Sequence, residues 1–250
     1  MKTQTRKRYT LLASVLLVVG GFVLSFFLWL KHEQRQYAMN RELIESLHHG
    51  DLKRAIDLVE VGADPNTPVK PLPAPSWRYF LNQILHRSTA SPKMGLGGTS
   101  PTAFMVVCGD DIYTIGRRMG TAIPEECLHD PTLTRLAKVM LSHGANVNIR
   151  GGMLDGTALT YASGHIHWMH DIMILLLEHG ADIDQQDADG FTPLYHAVIA
   201  DDLEGVKLLL KYHANPALKD KSGLTPYAFA VKRGCKPELI RLLKAAGATE

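Results

Sequence analysis

The chain has 250 residues, with 27 Lys and Arg against 25 Asp and Glu and a formal net charge of +2. Near-neutrality without a basic block in the later two thirds leaves no electrostatic footprint for nucleic acid, so no nucleic-acid partner is expected. Three cysteines are too few for a disulfide scaffold.

Lys2, Arg6, Lys7 and Arg8 make residues 1–10 a basic tail, and Leu11 to Leu30 then run without a charge. At about 1.5 Å of rise per residue, such a helix of about 20 residues spans the roughly 30 Å of a bilayer's hydrocarbon. A cleavable secretory signal shares the basic start, but its apolar region is shorter, and KHEQRQYA offers no small-x-small cleavage site. Residues 11–30 are therefore predicted to be an uncleaved transmembrane signal anchor. The basic cluster ahead of the span is denser than Lys31, Arg35 and Arg41 behind it. That difference predicts a cytoplasmic N-terminus in a single-pass inner-membrane protein, the rest lying on the periplasmic side of a bacterial membrane.

Residues 31–37 form a polar linker. Over residues 38–66, Leu43, Ile44 and Leu47 give one helix a buried stripe, Gly50 and Asp51 turn the chain, and Ala55, Ile56, Leu58 and Val59 supply a second helix ending at Gly62. Asn40, Arg41, Glu42, Glu45 and Ser46 are expected on a solvated outer face. An insertion over residues 67–97 opens with Pro68, Pro71, Pro73 and Pro75, which favour an extended strut. A short amphipathic helix carrying Trp77, Phe80, Leu81, Ile84 and Leu85 follows.

A second helix pair is expected over residues 98–150, starting at Thr99-Ser100-Pro101. Its second helix is delayed to Pro131 by an insertion over residues 109–130, with Cys108 and Cys127 near the insertion's ends. Further pairs are read over residues 151–186, 187–219 and 220–250. Aligning Thr157, Thr192 and Thr225, then Ala181, Ala214 and Ala248, gives a period of roughly 33 to 36 residues, the mark of a stacked helical array.

The motifs that repeat are Asp-x-x-Gly-x-Thr-Pro-Leu at Asp187 to Leu194, Gly-Leu-Thr-Pro at Gly223 to Pro226, and VGADPN, HGANVN and HGADID at the ends of second helices. In these the chain resembles the ankyrin repeat. The resemblance implies an all-α solenoid of about five helix-turn-helix repeats over residues 38–250, two of them carrying insertions. Two departures stand out. The histidine that usually follows Thr-Pro-Leu is replaced by Thr160, Tyr195 and Ala228, so its hydrogen bonds between units must be weakened or rebuilt. His213 stands where Gly62, Gly144, Gly180 and Gly247 end other second helices.

Ankyrin arrays bind proteins through finger-like turns and first helices, so the resemblance implies a binding surface with no cofactor and no catalysis. Arg150, Asp187, Asp189, Phe191, Lys219 and Lys221 are the candidate finger contacts, joined by Trp77 and Tyr79 in the first insertion. No phosphate loop, nucleophile elbow, His-Glu-x-x-His or Cys-x-x-Cys is present, and Cys127, His129 and Asp130 lack an orienting scaffold. His165, His167 and His170 lie close in sequence without a further ligand at diagnostic spacing, so no metal is expected. Cys108 and Cys127 are either a disulfide closing the second insertion or small buried apolar residues. The expected function is a membrane-tethered protein-binding scaffold. Its alternatives are an immunity or inhibitor protein masking a toxin or enzyme in the envelope, or an inverted topology recruiting a cytosolic partner.

Overall fold

A computed structural model describes residues 2–69, 102–108, 131–152, 154–164 and 169–247, with side chains described from Gly21 onward except Phe22. The second insertion, residues 109–130, lies outside the described residues, as does the first beyond Val69 with Trp77, Tyr79 and its amphipathic helix. The helices are α1 (Lys2–His48), α2 (Leu52–Val61), α3 (Ala103–Val107), α4 (Pro131–Ser142), α5 (Ala158–Ser163), α6 (His170–Glu178), α7 (Pro193–Ile199), α8 (Leu203–Lys211), α9 (Pro226–Arg233) and α10 (Pro237–Ala245). Among the described residues there is no β-strand, only isolated bridges at Pro68 and Thr102 and at Gly151 and Gly156.

The chain divides into two units. The first, Met1–Met39 with Pro73–Thr89, is described through α1. There Phe26 packs against Phe27 and Trp29 with ring centroids 5.9 and 6.0 Å apart. Val23, Leu24, Phe27 and Leu28 are each 48–62% exposed. Among the described residues no helix is long and apolar enough to cross a membrane. The side chains of residues 11–20 and of Phe22, about half of the charge-free run, fall outside that description.

The second unit, Asn40–Leu72 with Ala90–Glu250, holds the last turns of α1 and helices α2 to α10. Its first helices α3, α5, α7 and α9 pack side by side in one row, and α2, α4, α6, α8 and α10 form a second row against them. Stacking of this kind buries a core that no single helix pair could close. Every residue of α3 and α5 is buried, including Phe104, Met105, Leu159 and Thr160 at 0–1% exposure.

Local sequence sets the helix ends. Thr102, Thr157, Thr192 and Thr225 hold extended backbone, and each Oγ1 accepts the N–H three residues on, satisfying a donor the first turn would otherwise orphan. Proline at the first position of α7 and α9 costs nothing there, because that N–H has no helical partner. Second helices end in a residue of left-handed backbone: Gly62 (φ 115°), Gly144 (86°), Gly180 (81°), Gly247 (88°) and His213 (69°). The following N–H groups of Ala63, Ala145, Ala181 and Ala214 close back onto Leu58, Met140, Leu176 and Leu209 carbonyls at 2.8–3.0 Å.

Two local expectations are corrected. The second pair is capped by Thr102, not within Thr99-Ser100-Pro101, because its hydroxyl lies 3.3 Å from Met105 N; residues 99–101 are outside the described set. Ser46 is buried instead of solvated, since a hydroxyl can bond its own helix: it donates to the Leu43 carbonyl at 2.7 Å.

Candidate functional site

The loops after the second helices are tied together by a ladder of Asn and Asp side chains. Asn40 Oδ1 accepts Asp64 N–H (2.9 Å), and Asp64 Oδ1 accepts Asn66 N–H (2.9 Å). Asn66 Oδ1 accepts Asn146 N–H (2.8 Å), and Asn146 Oδ1 accepts Asn148 N–H (3.0 Å). The alternation continues through Asn148 to Asp182 (2.8 Å), Asp182 to Asp184 (3.1 Å), Asp184 to Asn215 (2.9 Å) and Asn215 to Ala217 (3.0 Å). Asn66 and Asn148 also donate through Nδ2 to the Gly144 and Gly180 carbonyls, at 2.9 and 3.0 Å. Each unit's loop is thereby held in register with the next by groups that water would otherwise solvate. Sequence reasoning saw these residues only as helix ends. Their signal was the recurrence of Asn or Asp two residues apart.

Beyond the ladder come the finger turns. In the first, Asp187 N–H donates to the Phe191 carbonyl (3.0 Å), while Asp187 Oδ1 accepts from the N–H groups of Asp189 and Phe191, both at 2.9 Å. Asp220 builds the same turn one unit on, with Oδ1 accepting from Ser222 N–H (2.8 Å), Ser222 Oγ (2.7 Å) and Leu224 N–H (2.9 Å). Neighbouring fingers are joined by Ala188 N–H to the Leu154 carbonyl (2.7 Å) and Lys221 N–H to the Asp189 carbonyl (3.1 Å). Gln186 Nε2 reaches the Lys219 carbonyl at 2.8 Å. The approach is so close that a Cβ on residue 190 would lie 2.9 Å from Lys221 N.

The first helices supply the inner wall. Tyr195 is fully buried and donates its hydroxyl to Asp220 Oδ2 at 2.7 Å, so the position that departs from the repeat pattern rebuilds a link to the next unit. Burial and the Asp220 carboxylate push the Tyr195 phenol well up from its ordinary range. Burial would raise Asp220, but Ser222, Tyr195 and the Leu224 and Ser222 N–H groups more than offset it and hold its carboxyl below the usual range. Thr160 instead closes a capping box with Thr157, and Ala228 has no polar side chain. Phe191 stacks on Tyr195 (centroids 4.5 Å), Tyr195 meets Phe229 (5.2 Å), and the Arg233 guanidinium lies over Phe229 at 5.8 Å.

Of the candidate contacts, Asp189, Lys219 and Lys221 are exposed on finger turns, and Phe191 is half-buried at a finger base. Arg150 is exposed and pairs with Asp155 Oδ2 at 3.1 Å. Asp187 is corrected: it is 5% exposed, and both its oxygens are engaged inside the fold, Oδ2 lying 2.7 Å from His196 Nε2. Burial pushes its pKa up, but the His196 ring and the Phe191 and Asp189 N–H groups outweigh that and leave it lowered. Trp77 and Tyr79 lie outside the described residues.

Cys108 is a free, fully buried thiol at the end of α3, and burial pushes its pKa far up; Cys127, with which it would pair, lies outside the described residues. Among the described residues no group of His, Cys, Asp and Glu could hold a metal ion. His165 and His167 are not described, and His170 is turned to the buried Asp202, with Nε2 2.6 Å from Oδ2.

Two rows of short antiparallel helices with hydrogen-bonded loops along one edge define a helical-repeat solenoid, a class built to present a long surface. Residues 156–188 match a family model described as ankyrin repeat, and residues 176–230 one described as ankyrin repeats in many copies. The chain therefore carries ankyrin repeats, and such repeats point to protein–protein interaction. Among curated relatives, BCL-6 corepressor-like protein 1 of Homo sapiens is 45% identical over 60 residues, 24% of this chain and 3% of that protein. A putative ankyrin repeat protein of Fowlpox virus is 35% identical over 105 residues, 39% of this chain and 29% of its own length. The B-cell lymphoma 3 protein homolog of Mus musculus is 31% identical over 145 residues, 58% of this chain and 32% of that one. The matches thus span about a third or less of each relative.

Proposed function

We propose that this protein is a membrane-tethered scaffold that holds a protein partner on its finger turns and first helices, with the repeats on the periplasmic side of a bacterial inner membrane. The observation that carries the binding reading is the row of fingers locked by the Asp187 and Asp220 turns and by backbone bonds between units. Such a surface binds with little loss of backbone freedom, because its loops are ordered before a partner arrives. Tethering is supported by the charge-free stretch from Leu11 to Leu30 and by Val23, Leu24, Phe27 and Leu28 standing exposed on α1. Four large apolar side chains within six residues are costly in water and are covered at no such cost by lipid.

Two measurements test the two halves. Protease added to intact spheroplasts degrades the repeats of a membrane-bound protein in the proposed orientation; protection until lysis reverses the orientation, and recovery in the soluble fraction removes the tether. Photo-crosslinking from residue 189 or 221 in native membranes yields a discrete protein adduct. Adducts only from α2 or α10 would place the contact elsewhere.

A further inference from the structure

The charge of the repeats is divided sharply along the chain. Residues 151–204 contain ten Asp and Glu and no Lys or Arg, whereas residues 205–247 contain nine Lys and Arg and only two Asp and Glu. Of those two carboxylates, Asp220 is spent inside its own turn and on Tyr195. Lys219, Lys221, Lys232 and Arg233 are exposed and make no ion pair among the described residues.

These cations are arranged around an aromatic strip. The finger turn that carries Lys219 and Lys221 is fixed to the preceding finger through Lys221 N–H and Gln186. From the base of that preceding finger the contacts run through Phe191, Tyr195 and Phe229 to Arg233 over the Phe229 ring. Tyr195 is wholly buried, but Phe191 and Phe229 are only half-buried. Cationic groups therefore bracket a partly exposed apolar path that crosses from one repeat to the next.

We propose that this strip, Lys219 and Lys221 at the finger end, Phe191 and Phe229 between, and Arg233 at the other, docks an acidic protein segment with an aromatic or large aliphatic residue between its carboxylates. The inference rests on the protein-binding reading and specifies the partner's chemistry and its position. Charge complementarity decides the occupant: an acidic segment gains at residues 205–247 and is repelled by Asp171, Glu178 and Asp182 on the preceding repeat and by Asp189 on the finger beside Lys221, all exposed. The charge boundary therefore confines such a partner to the last two helix pairs. The apolar residue supplies what rim charges alone do not, contact area on the Phe191 and Phe229 rings in a partly desolvated position.

The test uses the full-length protein in detergent micelles and short fluorescein-labelled peptides of three kinds: Glu-Phe-Glu repeats, Glu-Gly-Glu repeats of equal charge, and Lys-Phe-Lys repeats. Anisotropy is expected to show binding of the Glu-Phe-Glu peptide, weaker by about tenfold or more for Glu-Gly-Glu, absent for Lys-Phe-Lys, and falling with added salt. The triple variant K219E/K221E/R233E should lose the Glu-Phe-Glu peptide and gain the Lys-Phe-Lys one, while Asp189→Asn retains the original preference. Circular dichroism establishes that the variant is folded, and the gain of the opposite peptide cannot come from unfolding.

Equal binding of all three peptides, or no effect of the triple variant, overturns the proposal. So does loss of self-association in the same variant by sedimentation, which makes a second copy the occupant. Displacement of the acidic peptide by phosphatidylglycerol vesicles assigns the strip to a lipid surface and overturns it as well. If the discrete adduct from residues 189 or 221 persists in the triple variant, the scaffold reading stands and this one fails; if no adduct forms in the parent protein, it is the scaffold reading that fails.

Discussion

His213 holds φ 69° with a side chain attached, where the equivalent ends of the other second helices use glycine. Its Cβ crowds the following carbonyl at a cost of about 1–2 kcal/mol, of which glycine's greater unfolded-state freedom returns part. His213→Gly is expected to stabilise the protein by about 0.5–1 kcal/mol in urea titrations. Gly205 poses the opposite case, because it lies inside α8, where alanine gains about 1 kcal/mol of helix propensity. A Cβ there would collide with Asp202 Oδ2 and come 3.5 Å from His170 Nε2, forcing apart a pair whose carboxylate is 1% exposed. Gly205→Ala is therefore expected to destabilise, by about 1–3 kcal/mol; a stabilised variant would show that the Asp202 side chain moves aside freely. For Asp187 the folded pKa lies below its ordinary 3.8, so its contribution is fully present above that value and is lost as pH falls through the folded one. The melting-temperature gap between the parent and Asp187→Asn should close at acidic pH.

Between elements, the Asn and Asp ladder transmits register from one second helix to the next. Asn148 both accepts from Asp182 N–H and donates to the Gly180 carbonyl, so Asn148→Ala removes two links between units. The expected cost is about 1–3 kcal/mol, with faster amide exchange at Asp182. Asp184 accepts from Asn215 N–H but, as a carboxylate, has no N–H to offer the carbonyl at the helix end, the bond that Asn66 and Asn148 make. Asp184→Asn should restore that bond and stabilise by about 0.5–1 kcal/mol. The helix boundaries were legible because threonine caps, N1 prolines and terminal glycines act within a few residues. The ladder's links between repeats were not, since Asn40, Asn66, Asn148 and Asp184 accept from residues 24 to 80 positions away in sequence, brought near only by stacking.

Over the whole array, stability is expected to be a sum of units and their interfaces. Leu176 is fully buried in α6, which packs against both α4 and α8, so Leu176→Ala should cost about 2–5 kcal/mol and lower hydrogen-exchange protection across several repeats. Leu243→Ala in α10 should lower protection chiefly in α8 to α10, the helices its row and partner touch. The sequence by itself determined the repeat period, the all-α class, the capped helix ends and the left-handed site at His213. Each follows from residues close enough along the chain for local sterics, capping and apolar spacing to decide. It also carried the charge boundary near residue 205, which is composition alone. Only the tertiary structure decided that Asp187 is an internal brace, that Tyr195 ties one unit to the next through Asp220, and that Phe191, Phe229 and Arg233 share a strip. A finger aspartate reads as a surface charge until packing shows which N–H groups and which imidazole reach it, and those partners are fixed by how one repeat lies on another.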